Sequence, residues 1–472
     1  MIKSVGIDFA SAGEHKARCL DERAEPCDGF DFDTSPDGLA KLEERIFKDG
    51  SNPVVVFEPT GLAWVMVAVY LRAQHPDCRL VRVQAQKVVA LRKYLRRSSK
   101  SDKIDSLTMA KMPFIDAERL QDVYLPPANI YAMQRLARQR KRLEAEIGAR
   151  KTRIGSIVDG YLPGVRRVFS DPWSAHARAF LRSKLNPLAV ARAGEKALHS
   201  FLSKARAHRK SDTVESHVVY VACQHAATLY ELSAPAGTMN DDFFEALQDE
   251  ISRELRLMEV AEAESEAIAE RLEELYKQLH PSDNLRTIPG VGEHTAPIFL
   301  ACIGDPARFR SQSAFASYTG VVPAARQSSQ SEAKGLRMTK AGPAIMKWAL
   351  FQSGQIGRRY DPQLAWVYYR EMVYRGKNHK QAMGAVMSHV ASRVLTVLRE
   401  DRPYELRDVE GRPISREESR KLILSHYQVP EDIKRERRRR KTSTSKTTGH
   451  QRRKRETASG STIEAAYAPQ TA

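Results

Sequence analysis

Four acidic residues of the sequence stand where carboxylates could act together. Asp8 ends a predicted strand, and Glu58 ends another within the segment Phe57-Glu58-Pro59-Thr60-Gly61. Asp102 and Asp105 are spaced i and i+3, which puts both on one face of a helix. Carboxylates this close repel one another unless cations lie between them, and oxygen ligands alone suit Mg²⁺ or Mn²⁺. Two such ions can stabilise the attacking and leaving oxygens at a phosphodiester, so the pattern predicts metal-dependent phosphodiester chemistry.

Each acid also has a simpler interpretation. Asp8 could end its strand in a turn, Glu58 could pair with an arginine, and Asp102 could cap the helix that Lys103 begins. Only the four acids together favour a metal site. Neighbouring cations strengthen that interpretation, because a nuclease site must face a nucleic-acid backbone. The predicted nucleic-acid contacts in this region are Arg92, Lys93, Arg96, Arg97 and Lys100, with Lys87 and Lys103 beside them.

Other segments could also contact nucleic acid. The segment Ile288-Pro289-Gly290-Val291-Gly292 resembles the hairpin of a helix-hairpin-helix, in which glycines such as Gly290 and Gly292 let the backbone approach a phosphate. A plain turn between two helices is the alternative. A basic predicted helix carries Arg138 and Arg142, and Lys340 begins a later helix where it could neutralise a phosphate.

An α/β region at residues 1–125 must position the acids. Apolar runs predict strands at residues 2–9, 16–20, 29–32, 54–57 and 80–83, and helical spacing marks residues 39–46 and 62–73. The resulting order, β-β-β-α-β-α-β, is that of ribonuclease H-like (RuvC-like) folds, which actin-like sugar kinases share. In such a fold the acids at the strand ends meet at one edge of the sheet.

The remaining chain is predicted to be helical, so the fold class is α/β plus α. Residues 126–284 form a helical region with an inserted subdomain at about 160–240. Within it, residues 245–279 show the three-and-four spacing of a coiled-coil seam or a long bundle helix. A C-terminal helical domain spans 285–405, a short extension follows at 406–430, and a basic disordered tail occupies 431–472. Helices of the C-terminal domain are predicted at 294–303, 344–356, 362–374 and 379–398.

The charge of the chain indicates a polyanionic partner. Lysine and arginine outnumber aspartate and glutamate by 76 to 58, which gives a net charge of +18. Residues 434–455 contribute twelve of these cations against one acid, Glu436, and the other +7 lies elsewhere. Five scattered cysteines without a Cys-x-x-Cys pair argue against a disulfide framework or a zinc site. Without a long apolar run or a signal-like start, we expect a cytoplasmic protein with no membrane partner.

Six short motifs occur in a fixed order along the chain. They are Gly6-Ile7-Asp8, Glu58-Pro59-Thr60-Gly61, Lys100-Ser101-Asp102-Lys103-Ile104-Asp105, Ile288-Pro289-Gly290-Val291-Gly292, Thr319-Gly320-Val321-Val322-Pro323 and Thr339-Lys340-Ala341-Gly342. In this order they resemble the insertion-sequence 110 family of DEDD transposases, the bridge-RNA-guided serine recombinases. The resemblance spans both the RuvC-like and the C-terminal domains.

This resemblance implies roles for individual residues. Asp8, Glu58, Asp102 and Asp105 correspond to the four acids that hold Mg²⁺ or Mn²⁺ in the family. A catalytic serine is implied a few residues after Gly-Val-Val-Pro, where the family usually reads Ser-Gly-Gly. This chain reads Gln327-Ser328-Ser329-Gln330-Ser331, without the glycines. Counting forward from Pro323 favours Ser328, and counting back from Thr339 favours Ser329. We choose Ser328, because the forward count crosses less variable loop.

The resemblance also implies a reaction and its partners. The serine would attack a DNA phosphate to form a covalent phosphoserine link, and a second transesterification would join the strands. Implied partners are donor and target DNA, a noncoding guide RNA, and further copies of the chain in a dimer and an active tetramer. Acids and serine would meet across protomers, in a prokaryotic, nucleoid-associated complex.

Rival functions come from other classes of protein. A RuvC-like nuclease or resolvase would use metal-activated water instead of a serine. An actin-like sugar or acetate kinase could also begin with Gly6-Ile7-Asp8, but the sequence has no second Asp-x-Gly-Thr phosphate motif and no Gly-Gly adenosine motif. A non-catalytic nucleic-acid-binding scaffold would keep the basic segments but would not need the four acids.

Overall fold

The chain divides into two compact units, Met1–Pro127 and Ala128–Ala472. The computed structural model describes residues 1–59, 61–95, 101–118, 120–204, 216–233, 241–322, 327–328, 331–332, 338–339 and 342–437. Of residues 327–328 and 331–332 it describes the backbone alone. The predicted nucleic-acid contacts Arg96, Arg97, Lys100 and Lys340, and the tail from residue 438 onward, lie outside these ranges.

The first unit is built on a mixed sheet of six described strands. They are β1 (Ser4–Asp8), β2 (His15–Leu20), β3 (Pro26–Phe32), β4 (Val54–Phe57), β5 (Leu80–Arg82) and β6 (Gln121–Asp122). Their spatial order is β3-β2-β1-β4-β5-β6. β1 is parallel to β4 and β4 to β5, whereas the other neighbours are antiparallel. The predicted strands and their order are confirmed, as is the mixed α/β class of this unit.

Four helices pack on this sheet. They are α1 (Pro36–Ile46), α2 (Ala63–Gln74), α3 (Ala85–Leu95) and α4 (Asp102–Asp116). Residues that alternate along the strands face opposite sides. Val55 and Phe57 join the core beneath α1 and α2, and Val56 packs with Met109 and Met112 of α4. α1 and α2 match the predicted helices, but α3 was not predicted, because only Val88 of that helix is buried and its pattern is weak.

A glycine lets α4 lie directly on β1. A Cβ atom added at Gly6 would stand 1.9 Å from the Ser106 carbonyl oxygen and 2.5 Å from the Ala110 amide nitrogen. A Cβ atom cannot lie this close to another atom. Both neighbours belong to the backbone of α4, so a rotamer change cannot move them aside. The Gly6-Ile7-Asp8 motif therefore has a structural reason: glycine allows the helix that carries Asp102 and Asp105 to approach the strand that ends in Asp8.

Gly6→Ala is accordingly expected to destabilise the first unit by about 3 kcal/mol or more, since overpacking against backbone cannot be relieved by a rotamer change. Gly148→Ala is a suitable control, because Gly148 lies in a helix with no atom within 4 Å of the added Cβ. That change should be neutral or stabilising by about 0.5–1 kcal/mol. Urea unfolding, together with hydrogen exchange at β1 and α4 amides, measures both. Unchanged stability of Gly6→Ala would contradict the close approach of α4.

The second unit is mainly helical. Its helices are α5 (Ala128–Tyr161), α6 (Ala175–Ser183), α7 (Pro187–Ala193), α8 (Glu195–Lys204), α9 (Ser216–Ser233), α10 (Asp241–Leu279), α11 (Ala296–Ile303), α12 (Gln312–Thr319), α13 (Ala344–Gly357), α14 (Pro362–Val373), α15 (His379–Glu400) and α16 (Arg416–His426). A hairpin of β7 (Gln327–Ser328) and β8 (Ser331–Glu332) lies between α12 and α13. The helices predicted near residues 245–279, 294–303, 344–356, 362–374 and 379–398 are present. α12 and α16 were not predicted.

The apolar stripe predicted on residues 245–279 is buried, but against the same chain. Ile251 and Leu255 belong to a core with α5, α6 and α9, and Leu272 belongs to the core of the C-terminal helices. Arg178 of α6 adds an ion pair with Glu262 of α10, which holds the insert on the long helix. This stripe is therefore part of the unit's own core, and a coiled coil with a second chain stays a prediction.

No helix in the described ranges is long and apolar enough to cross a membrane.

Candidate active site

The carboxyl ends of β1 and β4 bring Asp8 and Glu58 to one edge of the sheet. Ile7 of β1 is paired with Phe57 of β4 in parallel register, so Asp8 and Glu58 follow at the same level. Alternation along the strands puts both on the side of Gly6 and Val56, which is the side covered by α4. Both side chains are partly exposed, so they are accessible from solvent.

The first turn of α4 supplies the other two acids. The Ser101 hydroxyl accepts a hydrogen bond from the Ile104 amide at 3.3 Å and caps the helix. Asp102, the first helical residue, is exposed, and Asp105 follows on the same face. The interpretation of Asp102 as the cap is therefore wrong, because Ser101 has that role. Both carboxylates lie in the first turn of α4, near the positive end of the helix dipole.

Asp105 has a partner that the sequence did not reveal. The Arg92 Nη1 atom of α3 lies 2.7 Å from each Asp105 carboxylate oxygen, and both side chains are largely buried. A metal ion that used both oxygens of Asp105 would have to displace this guanidinium. Arg92 was predicted to contact nucleic acid, and the structure instead places it on one of the candidate ligands. Its contact with nucleic acid stays a prediction.

The loop after Asp8 is held by a residue that the sequence analysis missed. The Ala10 amide donates to His15 Nδ1 at 3.2 Å, and His15 Nε2 lies 2.8 Å from the Thr34 hydroxyl. The ring is buried between Phe9 and Phe32, and this burial lowers the pKa of His15. A neutral imidazole is also what the Ala10 hydrogen bond requires. A lone histidine in a strand gives no sequence signal for such a role.

The donor set suits a hard divalent cation. Carboxylate oxygens are the ligands that Mg²⁺ and Mn²⁺ prefer, and the four acids are carried by β1, by the residue after β4, and by α4, which packs on β1 at Gly6. Within the described ranges, no three His, Cys, Asp or Glu side chains are close enough to form a complete metal cage. The residues therefore fit a divalent cation in chemistry and backbone placement, and the side chains of this structure are not closed around one.

Cations remain exposed beside the acids. Lys87 and Lys93 of α3 and Lys103 of α4 are all exposed. Lys93 makes no hydrogen bond or ion pair with any residue that the structure describes. Its predicted contact with nucleic acid stays a prediction.

The predicted nucleophile Ser328 lies in the β-hairpin of the second unit. Ser328 is paired with Ser331 and Gln327 with Glu332. The alternative nucleophile Ser329 lies outside the described residues. Each strand has only two residues, and neither strand contains a β-branched or aromatic residue, so the hairpin gave no signal in the sequence.

Two motifs that are far apart in the sequence join at the base of this hairpin. The Thr339 amide donates to the Val322 carbonyl at 3.1 Å, and Lys347 of α13 donates to the Thr339 carbonyl at 3.1 Å. A Cβ atom at Gly342 would lie 2.1 Å from the Tyr318 carbonyl oxygen. Burial lowers the pKa of the Lys347 ammonium. The segment that carries Ser328 therefore starts and ends at one place, the C-terminus of α12.

The predicted helix-hairpin-helix segment has one closely packed and one open glycine. A Cβ atom at Gly290 would lie 2.1 Å from the Ser353 carbonyl oxygen, and the φ of Gly290 is +89°. Gly290 thus packs against α13 and is not available to a phosphate at that face. Gly292 has no atom within 4 Å of its Cβ position. A phosphate contact at Gly292 stays a prediction, and Gly290 gains a packing role.

Replacing each glycine by alanine separates these roles. Gly290→Ala is expected to lower stability by about 3 kcal/mol, since overpacking adds to backbone strain. Gly292→Ala should fold like the parent protein but bind DNA roughly 5-fold more weakly, because the added methyl group blocks the close approach of a phosphate to the backbone. Thermal unfolding and a DNA titration measure the two effects. An unchanged DNA affinity of Gly292→Ala would show that the segment at residues 288–292 does not contact DNA.

The basic helix α5 has one exposed arginine face. Arg135, Arg138 and Arg142 are exposed at helical spacing, and none has a hydrogen bond or ion pair among the described residues. Arg140, by contrast, contacts Glu144, and its Nη2 atom lies 3.3 Å from Nδ1 of His294, two residues after Gly292. The predicted contacts Arg138 and Arg142 are thus both on an unpaired cationic surface.

Comparison with known proteins defines the class of this enzyme. A DEDD transposase profile, described as "Transposase", matches residues 5–163, which contain the four acids. A second profile, "Transposase IS116/IS110/IS902 family", matches residues 282–369, which contain the hairpin segment and Ser328. The fold and the two matches define a DNA-rearranging enzyme of the transposase class, and its substrate is DNA.

The chain belongs to the IS110 family of transposases. It is similar to an insertion element IS110 uncharacterized 43.6 kDa protein of Streptomyces coelicolor, with 23% identity over 409 residues, 86% of this chain and 96% of that protein. It is also 34% identical to pilin gene-inverting proteins of Moraxella bovis and Moraxella lacunata, over 130 and 125 residues. These matches cover 27% and 26% of this chain, and 40% and 38% of those proteins.

Proposed function

We propose that this transposase joins DNA strands through a metal-dependent serine mechanism directed by a noncoding RNA. The observation that carries the proposal is the backbone placement of the elements that hold the four acids. Asp8 and Glu58 end adjacent parallel strands, and α4 crosses beside them with Asp102 and Asp105 in its first turn. This donor set supports Mg²⁺ or Mn²⁺ as the cofactor.

Ser328 is the proposed nucleophile. Its Oγ forms a bond to a DNA phosphorus, the P–O bond to one deoxyribose breaks, and the proton lost by the serine balances the one gained by the departing hydroxyl. A hydroxyl of the partner strand then attacks the phosphoserine, which restores Ser328 and completes a new diester. Bond energy is conserved, so the reaction needs no ATP. A divalent cation held by the four acids would polarise the phosphate and stabilise the charge on its oxygens.

The cationic surfaces support a nucleic-acid guide. The exposed arginines of α5 can hold a phosphate backbone without reading its sequence. Base pairing between a guide RNA and DNA would then select the site, and the protein would recognise backbone and shape. We further propose that the active complex is a homo-oligomer, a dimer that assembles into a tetramer.

Reconstitution tests this proposal. The protein purified with its bound RNA should recombine donor and target DNA in Mg²⁺, and ribonuclease treatment should abolish the reaction. Adding back RNA with an altered guide loop should redirect the product to the matching site. Full recombination at the original site after removal of the RNA would contradict RNA guidance while leaving the serine mechanism open to its own test.

A further inference from the structure

A cleft in the second unit lies outside the residues with a predicted role. It opens between helix α16 and the turn that joins α13 to α14, and its volume is about 250 Å³. α16 lies beyond residues 282–369, which the transposase profile matches. The lining residues are Arg359, Tyr360, Arg420, Ile423 and Leu424.

The backbone under this cleft is fixed from two sides. The buried Ser419 of α16 donates its hydroxyl hydrogen bond to the Tyr360 carbonyl at 2.6 Å. The next residue, Asp361, is fully buried and accepts hydrogen bonds from the Leu364 amide at 3.0 Å and the Tyr404 hydroxyl at 2.8 Å. Arg359 and Tyr360 are therefore presented from a rigid turn, and a ligand would not have to order it.

Two guanidinium groups of the cleft are not neutralised. Arg359 and Arg420 are exposed, and neither side chain has a hydrogen bond or ion pair with any part of the chain that the structure describes. Glu417 lies one turn before Arg420 on α16, but its carboxylate pairs with Lys421 at 2.8 Å. Two unpaired arginines on opposite walls favour an anion that accepts several hydrogen bonds, such as a phosphate.

The same cleft also presents apolar surface. The Tyr360 ring is 57% exposed and the Leu424 side chain 56%, while Ile423 is buried at the base. Tyr360 has no aromatic partner among the described residues. An inorganic anion would make no use of this surface. A ligand that combines a phosphate with a flat unstacked ring would use both parts of the cleft.

We propose that this cleft binds one unstacked nucleotide of a single-stranded nucleic acid. The Tyr360 ring stacks on the base, and Arg359 and Arg420 hold the flanking phosphates. A duplex does not fit this chemistry, because its base faces are already stacked inside the helix. The inference deepens the proposed function and rests on it for the nature of the ligand. The single strand is either unpaired guide RNA or displaced DNA.

Oligonucleotide binding by the full-length chain tests the inference. Fluorescence anisotropy with a labelled single strand is measured over a series of salt concentrations, for RNA and DNA of the same sequence and for the DNA duplex. Arg359→Ala/Arg420→Ala should lower the slope of log affinity against log salt by about 1.4, because each phosphate contact to a single strand contributes about 0.7. Lys421→Ala is the matched control, since it removes a neighbouring charge of α16 and should leave the slope unchanged.

The stacking contact has its own pair of variants. Tyr360→Ala should weaken single-strand binding about 5-fold or more, and Tyr360→Phe should stay within about 2-fold, because a phenyl ring still stacks on a base. A strand with 5-iodouracil should cross-link to the peptide that contains Tyr360. These side chains are exposed, so the variants should keep the parent's thermal unfolding transition.

Several results would overturn the inference. One is a salt slope that changes as much in Lys421→Ala as in Arg359→Ala/Arg420→Ala. The others are an unchanged single-strand affinity in Tyr360→Ala, or a loss of duplex binding as large as the loss of single-strand binding. If the variants lose affinity for single-stranded RNA alone, or for single-stranded DNA alone, the result supports the inference and identifies which strand binds in the cleft. Repeating the titration with Asp8→Asn keeps this test independent of recombination, since the inference needs binding alone.

Discussion

Asp8→Asn is expected to lower recombination by at least about 100-fold while the protein remains folded. Mutation of a residue that hydrogen-bonds to a metal ligand typically lowers metal affinity or activity about 10–100-fold, and loss of a direct ligand should lower activity by at least as much. The change also removes one negative charge from a cluster of acids, so stability should hold or rise. The amide keeps the size of the carboxylate, and the strand pairing of β1 is retained. Glu58→Gln and Asp102→Asn are expected to behave alike.

Asp77→Asn is the matched control for Asp8→Asn. Asp77 is exposed just before β5, so it lies at the edge where the parallel strands begin, opposite the edge where Asp8 and Glu58 follow β1 and β4. Recombination, unfolding, and calorimetric binding of Mn²⁺ are measured for both variants. If Asp8→Asn and Glu58→Gln both recombine like the parent protein, the metal-site assignment is wrong.

Asp105 needs a separate expectation because of Arg92. Asp105→Ala removes a candidate ligand but also leaves a largely buried guanidinium without its carboxylate, so some loss of stability should accompany the loss of activity. The double variant Arg92→Ala/Asp105→Ala should recover the stability but not the activity. This contrast separates the ion pair from the chemistry.

The strands of the first unit were predictable because their cause is local. Buried runs such as Val54–Phe57 carry their own signal, and the positions of Asp8 and Glu58 at strand ends follow from them. The segment that packs against a predicted apolar surface, by contrast, is distant in the sequence and cannot be identified from local spacing. Spacing showed that Ile251 and Leu255 face a core, but not that α5 and α6 of the same chain cover them.

Close packing between distant segments was equally hidden. Gly290 packs against the backbone of Ser353, which is distant in the sequence. Arg92 pairs with Asp105 only because α3 and α4 pack together. α3 itself gave little signal, since a helix with one buried apolar residue has no clear period. Each gap in the prediction thus corresponds to an interaction that depends on tertiary structure.

Ser328→Ala is expected to abolish the covalent protein–DNA intermediate and to lower recombination by about 10³-fold or more, because loss of a nucleophile removes the reaction path itself. Ser331→Ala is the matched control. Ser331 is paired with Ser328 across the hairpin, so it tests the same backbone with a different hydroxyl. Recombination and folding of Ser331→Ala should equal those of the parent protein.

The competing mechanism is direct attack by metal-activated water, and it differs from the serine mechanism in its products. Serine attack leaves protein attached to one DNA end, whereas water attack leaves both ends free. The reaction is trapped on a nicked substrate and digested with protease, and the phosphoserine peptide is identified by mass spectrometry. An adduct on Ser329 would move the nucleophile by one residue along the same hairpin. Free ends with full activity in Ser328→Ala/Ser329→Ala would exclude the serine mechanism, and the four acids would then act in a nuclease.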